Sequence, residues 1–392
     1  MAIPRTRPYS GPALFSYGFR PFFLFGALYA GAAILYWIPM LAGRVETASL
    51  LDPVDWHIHE MLFGYLAAVM AGFLLTAIPN WTGRLPLNGP PLVVLVAAWL
   101  AGRVAIFCSS AIGAIPAAIV DCAFLTLLVA ATGREIIAGK NWRNLKVLIP
   151  VSVLLAANVL FHLEAALTGT TDIARRLSIA AAILLISIIG GRVIPSFTRN
   201  WLVKHGPGPL PASFDRFDVF ALGLTGVALA FWVFAPSHTV TGAVMLAAAI
   251  VNIARLARWR GYRTISDPLV LILHIGFMWI PAGMAIAGLA AIMPDRVAPA
   301  AAIHAFGVGA IGTMTLAIMV RATLGHTGHD LVSGWRGNLV FTAITIAALA
   351  RLAHALILPA NPLLHLAAAA WAFAFLGFAG LFGRALLSPR RK

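Results

Sequence analysis

The chain has 392 residues, 61% hydrophobic and 10% charged, with a mean hydropathy of +0.91. A soluble domain is charged at about a quarter of its positions, so this composition excludes a water-soluble globular enzyme. The net charge of +15 is assigned to loops that set membrane topology and not to a nucleic-acid surface.

The first nineteen residues contain no apolar run ending at a small-residue cleavage site, so no cleaved signal peptide is expected. Twelve apolar segments follow, near residues 20–42, 57–79, 90–109, 112–133, 146–168, 176–196, 217–236, 239–257, 268–293, 301–322, 337–358 and 363–386. Each is long enough to cross hydrocarbon as a helix, the form that satisfies its backbone within the segment. The expected fold is all-α, a polytopic membrane protein of twelve transmembrane helices in a single domain over 1–392, with three arcs of four helices as one arrangement. With the N-terminus inside, the inner loops and tails hold Arg5, Arg7, Arg84, Arg134, Lys140, Arg143 and further basic residues. The outer loops hold little more than Arg44, Arg175, Arg176 and Arg296. Both termini are therefore expected in the cytoplasm. Cys108 and Cys122 offer neither a disulfide framework nor a Cys-x-x-Cys metal site.

The second segment opens with His57-x-His59-Glu60, and hydrocarbon tolerates such groups only when they are partnered or ligated. Shifted by 245 residues, this segment overlays the tenth: His59 falls on His304, Gly64 on Gly309, Ala77 on Ala322, Thr82 on Thr327 and Gly83 on Gly328. Shifted by 116, its end overlays that of the sixth, with Pro79 on Pro195 and Thr82 on Thr198. The pattern is compatible with three four-helix units and with chance matching of apolar helices.

Topology sorts the eleven histidines by depth. His57, His59, His162, His304, His354 and His365 lie toward the outer face with His238 in an outer loop, and His205, His274, His326 and His329 lie toward the inner face. An outer layer this rich in imidazole suits a haem, which takes one or two neutral imidazoles from facing helices. Residues i and i+2 of a helix point about 200° apart, so His57 and His59 serve opposite faces. The repeat selects His59 and His304 as axial haem ligands and leaves His57 for a second site. Asn158 and His162 share a face at i, i+4, as a ligand and its orienting partner would, or as a plain interhelical contact would. Glu60 either orients an imidazole or pairs with an arginine. For His238, His354 and His365 the plain reading is an interfacial residue bonded to backbone or headgroups.

The motifs FRPFFLFGAL (Phe19 to Leu28), WHIHEMLFGY with AGFLLTAIPNWTG, GGRVIPSFT, LHIGFMWIPAG and HAFGVGAIGTMTLAIMVRATLGHTG resemble the NnrS family from the first helix to the tenth. The resemblance implies a bacterial inner-membrane protein that carries haem b and copper and protects against nitric oxide and nitrosative stress in denitrification. It carries His57, His59, His274, His304 and His326 forward as ligand candidates. A more distant likeness is to the large subunit of haem–copper oxidases and nitric oxide reductases, whose low-spin haem lies between helices 2 and 10. Their copper ligands on helices 6 and 7 have no counterpart here, so a copper is expected to use His57 with His162, and an inner metal site would use His274 with His326 or His329. The partners expected are haem, nitric oxide or a nitrosyl species, the lipid bilayer and an unidentified electron donor, with no nucleic acid. A nitric oxide-related oxidoreductase, a transporter and a haem-based sensor without turnover remain the alternatives.

Overall fold

The computed structural model describes residues 9–357 and 361–391. Among them, twelve helices are long and apolar enough to span a membrane. They are α1 (Phe19–Leu41), α2 (Pro53–Thr82), α3 (Pro90–Phe107), α4 (Ala114–Ala138), α5 (Trp142–Leu167), α6 (Asp172–Leu202), α7 (Arg216–Phe234), α8 (Thr239–Ala257), α9 (Pro268–Ile292), α10 (Pro299–Thr327), α11 (Gly334–Leu356) and α12 (Asn361–Leu387). This all-α membrane architecture is the one expected. The observed edges extend past the apolar segments where polar residues cap or continue a helix. At α2, the Asp52 carboxylate accepts from the Val54 and Asp55 backbone N–H groups at 2.8 and 2.9 Å, and Pro53 fills the first helical position. The same helix ends at Gly83, whose φ of 71° takes the left-handed turn that stops it.

The chain divides into two compact units. The first contains the residues up to Ser178, Met319–Asp330 and the residues from Phe375 on; the second contains Ile179–Ile318 and Leu331–Ala374. In the first, α2 packs against α1, α3 and α4, and α4 packs against α3 and α5. The most apolar window of α2 is 83% buried, against 28% for that of α4, which makes α2 the central helix. Close approach relies on small residues. A Cβ on Gly102 of α3 would lie 3.2 Å from the Asp121 Cα of α4, and one on Gly72 would meet the Phe23 ring at 2.7 Å. Arg20 closes the unit: its Nη1 donates to the carbonyls of Ala385, Leu386 and Ser388 at 3.1, 2.8 and 2.6 Å, and the Arg391 N–H donates to Thr327 O at 3.0 Å. The orphan carbonyls at the end of α12 are satisfied in this way by the first turn of α1.

In the second unit α8 packs against α7 and α9, and α10 against α9 and α11. Gly242 and Gly288 face each other at the α8–α9 crossing, where a Cβ on either would meet the other's carbonyl oxygen at 2.9 Å. Hydroxyls buried in both units fold back on the helix: Thr76 donates to Gly72 O at 2.7 Å and Thr225 to Ala221 O at 2.7 Å.

Among the described residues, two stretches are wound more widely than regular α-helix. Glu60–Leu66 of α2 and Ala305–Gly312 of α10 are π-helical. Each begins at the residue after a histidine, His59 and His304, and these are the two positions that the 245-residue overlay superimposes. The repeat seen in sequence is thus repeated in backbone geometry.

Candidate metal centre

The π-turn of α2 begins at Glu60, directly after His59. Adjacent residues of a helix ordinarily point about 100° apart, and a π-bulge places one residue too many in the turn. Here His59 and Glu60 both turn into the first unit, and both are completely buried. His59 Nδ1 lies 3.0 Å from Glu60 Oε1, and its Nε2 lies 3.1 Å from Asp121 Oδ2 on α4. Asp121 is the hub. Its Oδ2 also receives His162 Nε2 at 3.1 Å and Asn158 Nδ2 at 2.8 Å, both from α5, while its Oδ1 accepts from Arg103 Nη2 of α3. Arg103 Nη1 spans the two Glu60 oxygens at 2.6 Å each, and the Tyr29 hydroxyl of α1 donates to Glu60 Oε2. Five helices contribute to one polar knot inside an apolar bundle.

Two carboxylates and one guanidinium leave the knot one negative charge in excess. Isolated charge is costly in hydrocarbon, so the balance is made up either by a second proton on an imidazole or by a cation. His59, Asp121 and His162 are the group that can hold a metal among the described residues, with ligand atoms all within 4.8 Å of one another. The surroundings suit that role. The Glu60 carboxylate accepts from His59 Nδ1, which leaves Nε2 as the ligand nitrogen of a neutral ring. Asn158 Oδ1, on a side chain 1% exposed, has no hydrogen-bond partner and is an acceptor next to the three ligands.

The expected ligands distribute as follows. His162 joins His59, as its predicted depth implied, and Asn158 does accompany it. His57 takes the other face of α2, where its ring stacks on Trp37 with centroids 4.2 Å apart and planes at 23°. The residues grouped with His162 at ligand spacing are His59 and Asp121, and not the His57 expected to share a copper with it. Both readings of Glu60 hold, since it orients His59 and pairs with Arg103. His304 directs Nδ1 to Ala300 O at 2.7 Å, which fixes the tautomer with Nε2 as the basic nitrogen. His274 serves as a link between α9 and α6. The Thr198 hydroxyl gives its own proton to Ile194 O at 2.9 Å and so accepts from His274 Nε2 at 2.8 Å. His326 is stacked by Tyr17 and flanked by Phe19, at centroid distances of 5.7 and 5.4 Å. His238 caps α8, its Nδ1 accepting from the Val240 N–H at 3.2 Å, in line with the plain reading given to it.

For haem, the fit at His59 is poor. The ring is walled by Phe63, Phe161 and His162 at 5.1, 5.2 and 5.2 Å, and Asp121 occupies the approach to Nε2. The position fits a compact ion and offers a porphyrin no face.

Sequence reasoning missed Asp121, Arg103 and Tyr29. The signal for the first two was present: a charge in the middle of an apolar segment is a site by default, and Asp121 and Arg103 are such charges in the fourth and third segments.

No curated protein matches the chain. Among protein families, the model described as NnrS protein matches residues 13–390, nearly the whole chain, so the motifs that span α1 to α10 belong to a continuous likeness, and this membrane protein is a member of the NnrS family.

Proposed function

We propose that the protein defends a bacterial inner membrane against nitric oxide through a transition metal held by His59, Asp121 and His162. The observation that carries this reading is the set of two imidazoles and one carboxylate, buried but for the edge of His162, with a second carboxylate and an arginine holding them in place. Catalytic and ligand-binding metals need open positions and a fixed outer shell, and this cluster supplies both. When bound, the metal offers a site that coordinates nitric oxide. The chain's own residues then do the rest: Glu60 fixes the His59 tautomer, Arg103 and Asn158 orient Asp121, and the aromatic walls exclude water. Copper is the metal the family resemblance implies, and haem b is assigned to His304 in place of His59. Redox turnover in this reading draws on a separate electron donor.

Complementation tests the proposal. A strain lacking this protein, exposed to a nitric oxide donor, should recover with the wild-type chain and not with Asp121→Asn or His162→Ala at equal membrane levels. Full recovery with both variants would overturn it.

A further inference from the structure

We propose that the second unit binds water between α6 and α8, held by Ser187, Asn252 and Arg255 at the deep end of a polar inlet that opens beside Asp215 and Arg258. The site is separate from the metal centre of the first unit and does not depend on it.

A second buried arginine marks the place. Arg255 of α8 and Asp218 of α7 are both buried, and Arg255 Nε donates to Asp218 Oδ1 at 2.9 Å. Arg255 Nη1 donates to the Ser187 carbonyl of α6 at 3.2 Å. The guanidinium carbon lies 5.3 Å from the Trp259 ring centroid and 5.9 Å from that of Phe277. Gly191, one turn beyond Ser187, admits the guanidinium, since a Cβ there would collide with Nη2. A charge inside a spanning bundle is a functional site by default, and the metal centre makes no use of this one.

Three polar atoms here lack a partner in the protein: Ser187 Oγ, Asn252 Oδ1 and Arg255 Nη2, on side chains of residues that are all 0% exposed. They belong together. Ser187 gives its carbonyl to Arg255, and Asn252 precedes Arg255 by three residues, on the same face of α8. Each carries a desolvation penalty that a bound ligand would remove.

Hydrogen-bond accounting fixes what that ligand must offer. The Thr225 hydroxyl donates to Ala221 O at 2.7 Å, so it accepts from Asn252 Nδ2 at 2.9 Å. Asn252 Nδ2 also donates to Ala248 O at 2.9 Å, which settles the amide orientation and leaves Oδ1 as an acceptor. Arg255 Nη2 can only donate, and the Ser187 hydroxyl can do either. The ligand therefore accepts from Arg255 and donates to Asn252.

Charge narrows the choice. In the first unit two carboxylates outweigh one guanidinium and call for a cation. Here one carboxylate balances one guanidinium, so the ligand is neutral. A cation would meet the unpartnered Nη2, and an anion would meet the Asn252 oxygen. Water is neutral, donates and accepts at once, and takes the two to four polar partners present here.

A way in exists from the end of the unit where α7 begins and α8 finishes. The Asp215 and Arg258 side chains are 52% and 27% exposed, and Arg258 Nη1 stands 3.9 Å from Asp218 Oδ2. Asp218 then leads to Arg255. Asn252 lies six residues before Arg258, about 9 Å along the helix axis.

X-ray radiolysis of the purified full-length protein tests the assignment, because hydroxyl radicals formed from a bound water oxidise the side chains next to it. Met284 is the reporter: it is 0% exposed, and its Sδ lies 3.8 Å from Asn252 Nδ2. Met245, equally buried on α8 and two turns beyond Asn252, is the dry control. Mass spectrometry should find Met284 oxidised severalfold faster than Met245. Asn252→Leu should bring Met284 down to the Met245 rate, and Ser187→Ala, a smaller change less disturbing to folding, should slow it in the same direction. Wild-type Met284 as slow as Met245 would overturn the proposal. So would fast oxidation of Met284 that neither substitution alters, since the water would then be held by other groups.

Discussion

Asp121 Oδ2 accepts from Asn158 and lies 3.1 Å from the Nε2 atoms of His59 and His162, while Oδ1 accepts from Arg103, whose guanidinium spans from there to both oxygens of Glu60. Removing one member of a buried ion pair leaves an uncompensated charge and costs about 3–5 kcal/mol. Arg103→Met should therefore lower stability by about that amount, read as a fall in the thermal midpoint of the purified protein. Arg103→Lys should recover little of it, because a single ammonium does not reproduce the planar fork that reaches two carboxylates at once. Equal stability of the Lys variant and wild type would mean that the fork is dispensable. Glu60 and Asn158 were legible at this scale because they sit beside histidines in sequence. Asp121 was not, because nothing local marks which of several helices its carboxylate will face. Its partners come from α2, α3 and α5, and the meeting is a product of packing.

The π-turn of α2 is the element on which the centre depends. It starts at Glu60, directly after His59, and the helical-wheel argument that separated His57 from His59 does not anticipate it. That argument placed His57 correctly on the opposite face, yet it gave no reason to expect Glu60 alongside His59. The turn is packed closely around Gly64, where a Cβ would stand 2.9 Å from Glu60 Oε2, 2.9 Å from Tyr29 Cε1 and 3.0 Å from Arg103 Nη1. Gly64→Ala should cost about 1–3 kcal/mol by overpacking and should also lower metal retention, since all three neighbours hold the ligands. A variant that loses stability but keeps its metal would separate packing from ligand placement. At the start of α7, outside the span, Asp215 and Asp218 form a capping box. Asp215 caps the helix by accepting from the Phe217 N–H at 2.9 Å and pairs with Arg258, whose hydrogen bond holds the Asp215 carboxyl below its usual range. A depressed carboxyl contributes its full stabilisation above the ordinary carboxylate range and loses it as pH falls through the lowered value. Asp215→Asn keeps a good cap and removes the ionic part, so thermal midpoints of variant and wild type should stay apart near neutrality and converge only on acidification below about pH 4, the ordinary Asp value.

The twelve spans were legible in the sequence because hydrocarbon imposes one solution on every apolar run, and the α8 segment agrees with the structure at both ends. The edges of α6 were not, because an apolar window senses the bilayer and ignores the polar turns that carry this helix from Asp172 to Leu202. The division into two units was also hidden. The first unit gathers the beginning of the chain, the end of α10 and the end of α12, and no composition shift announces such a partition. The repeat gave a better guide, since its two histidines each stand at the mouth of a π-turn. Gathering distant segments also sets a timetable for biosynthesis. Arg20 leaves the ribosome with the first helix, while the Ser388 carbonyl that accepts from it is made 368 residues later. At about 5–20 residues per second the wait is roughly 20–70 s. Through that interval α1 carries a cation whose final acceptors do not yet exist, so the bundle that houses the metal ligands is sealed only when synthesis is all but finished. A nascent chain stalled before α12 would hold every ligand of the centre and still lack the clasp that closes around it.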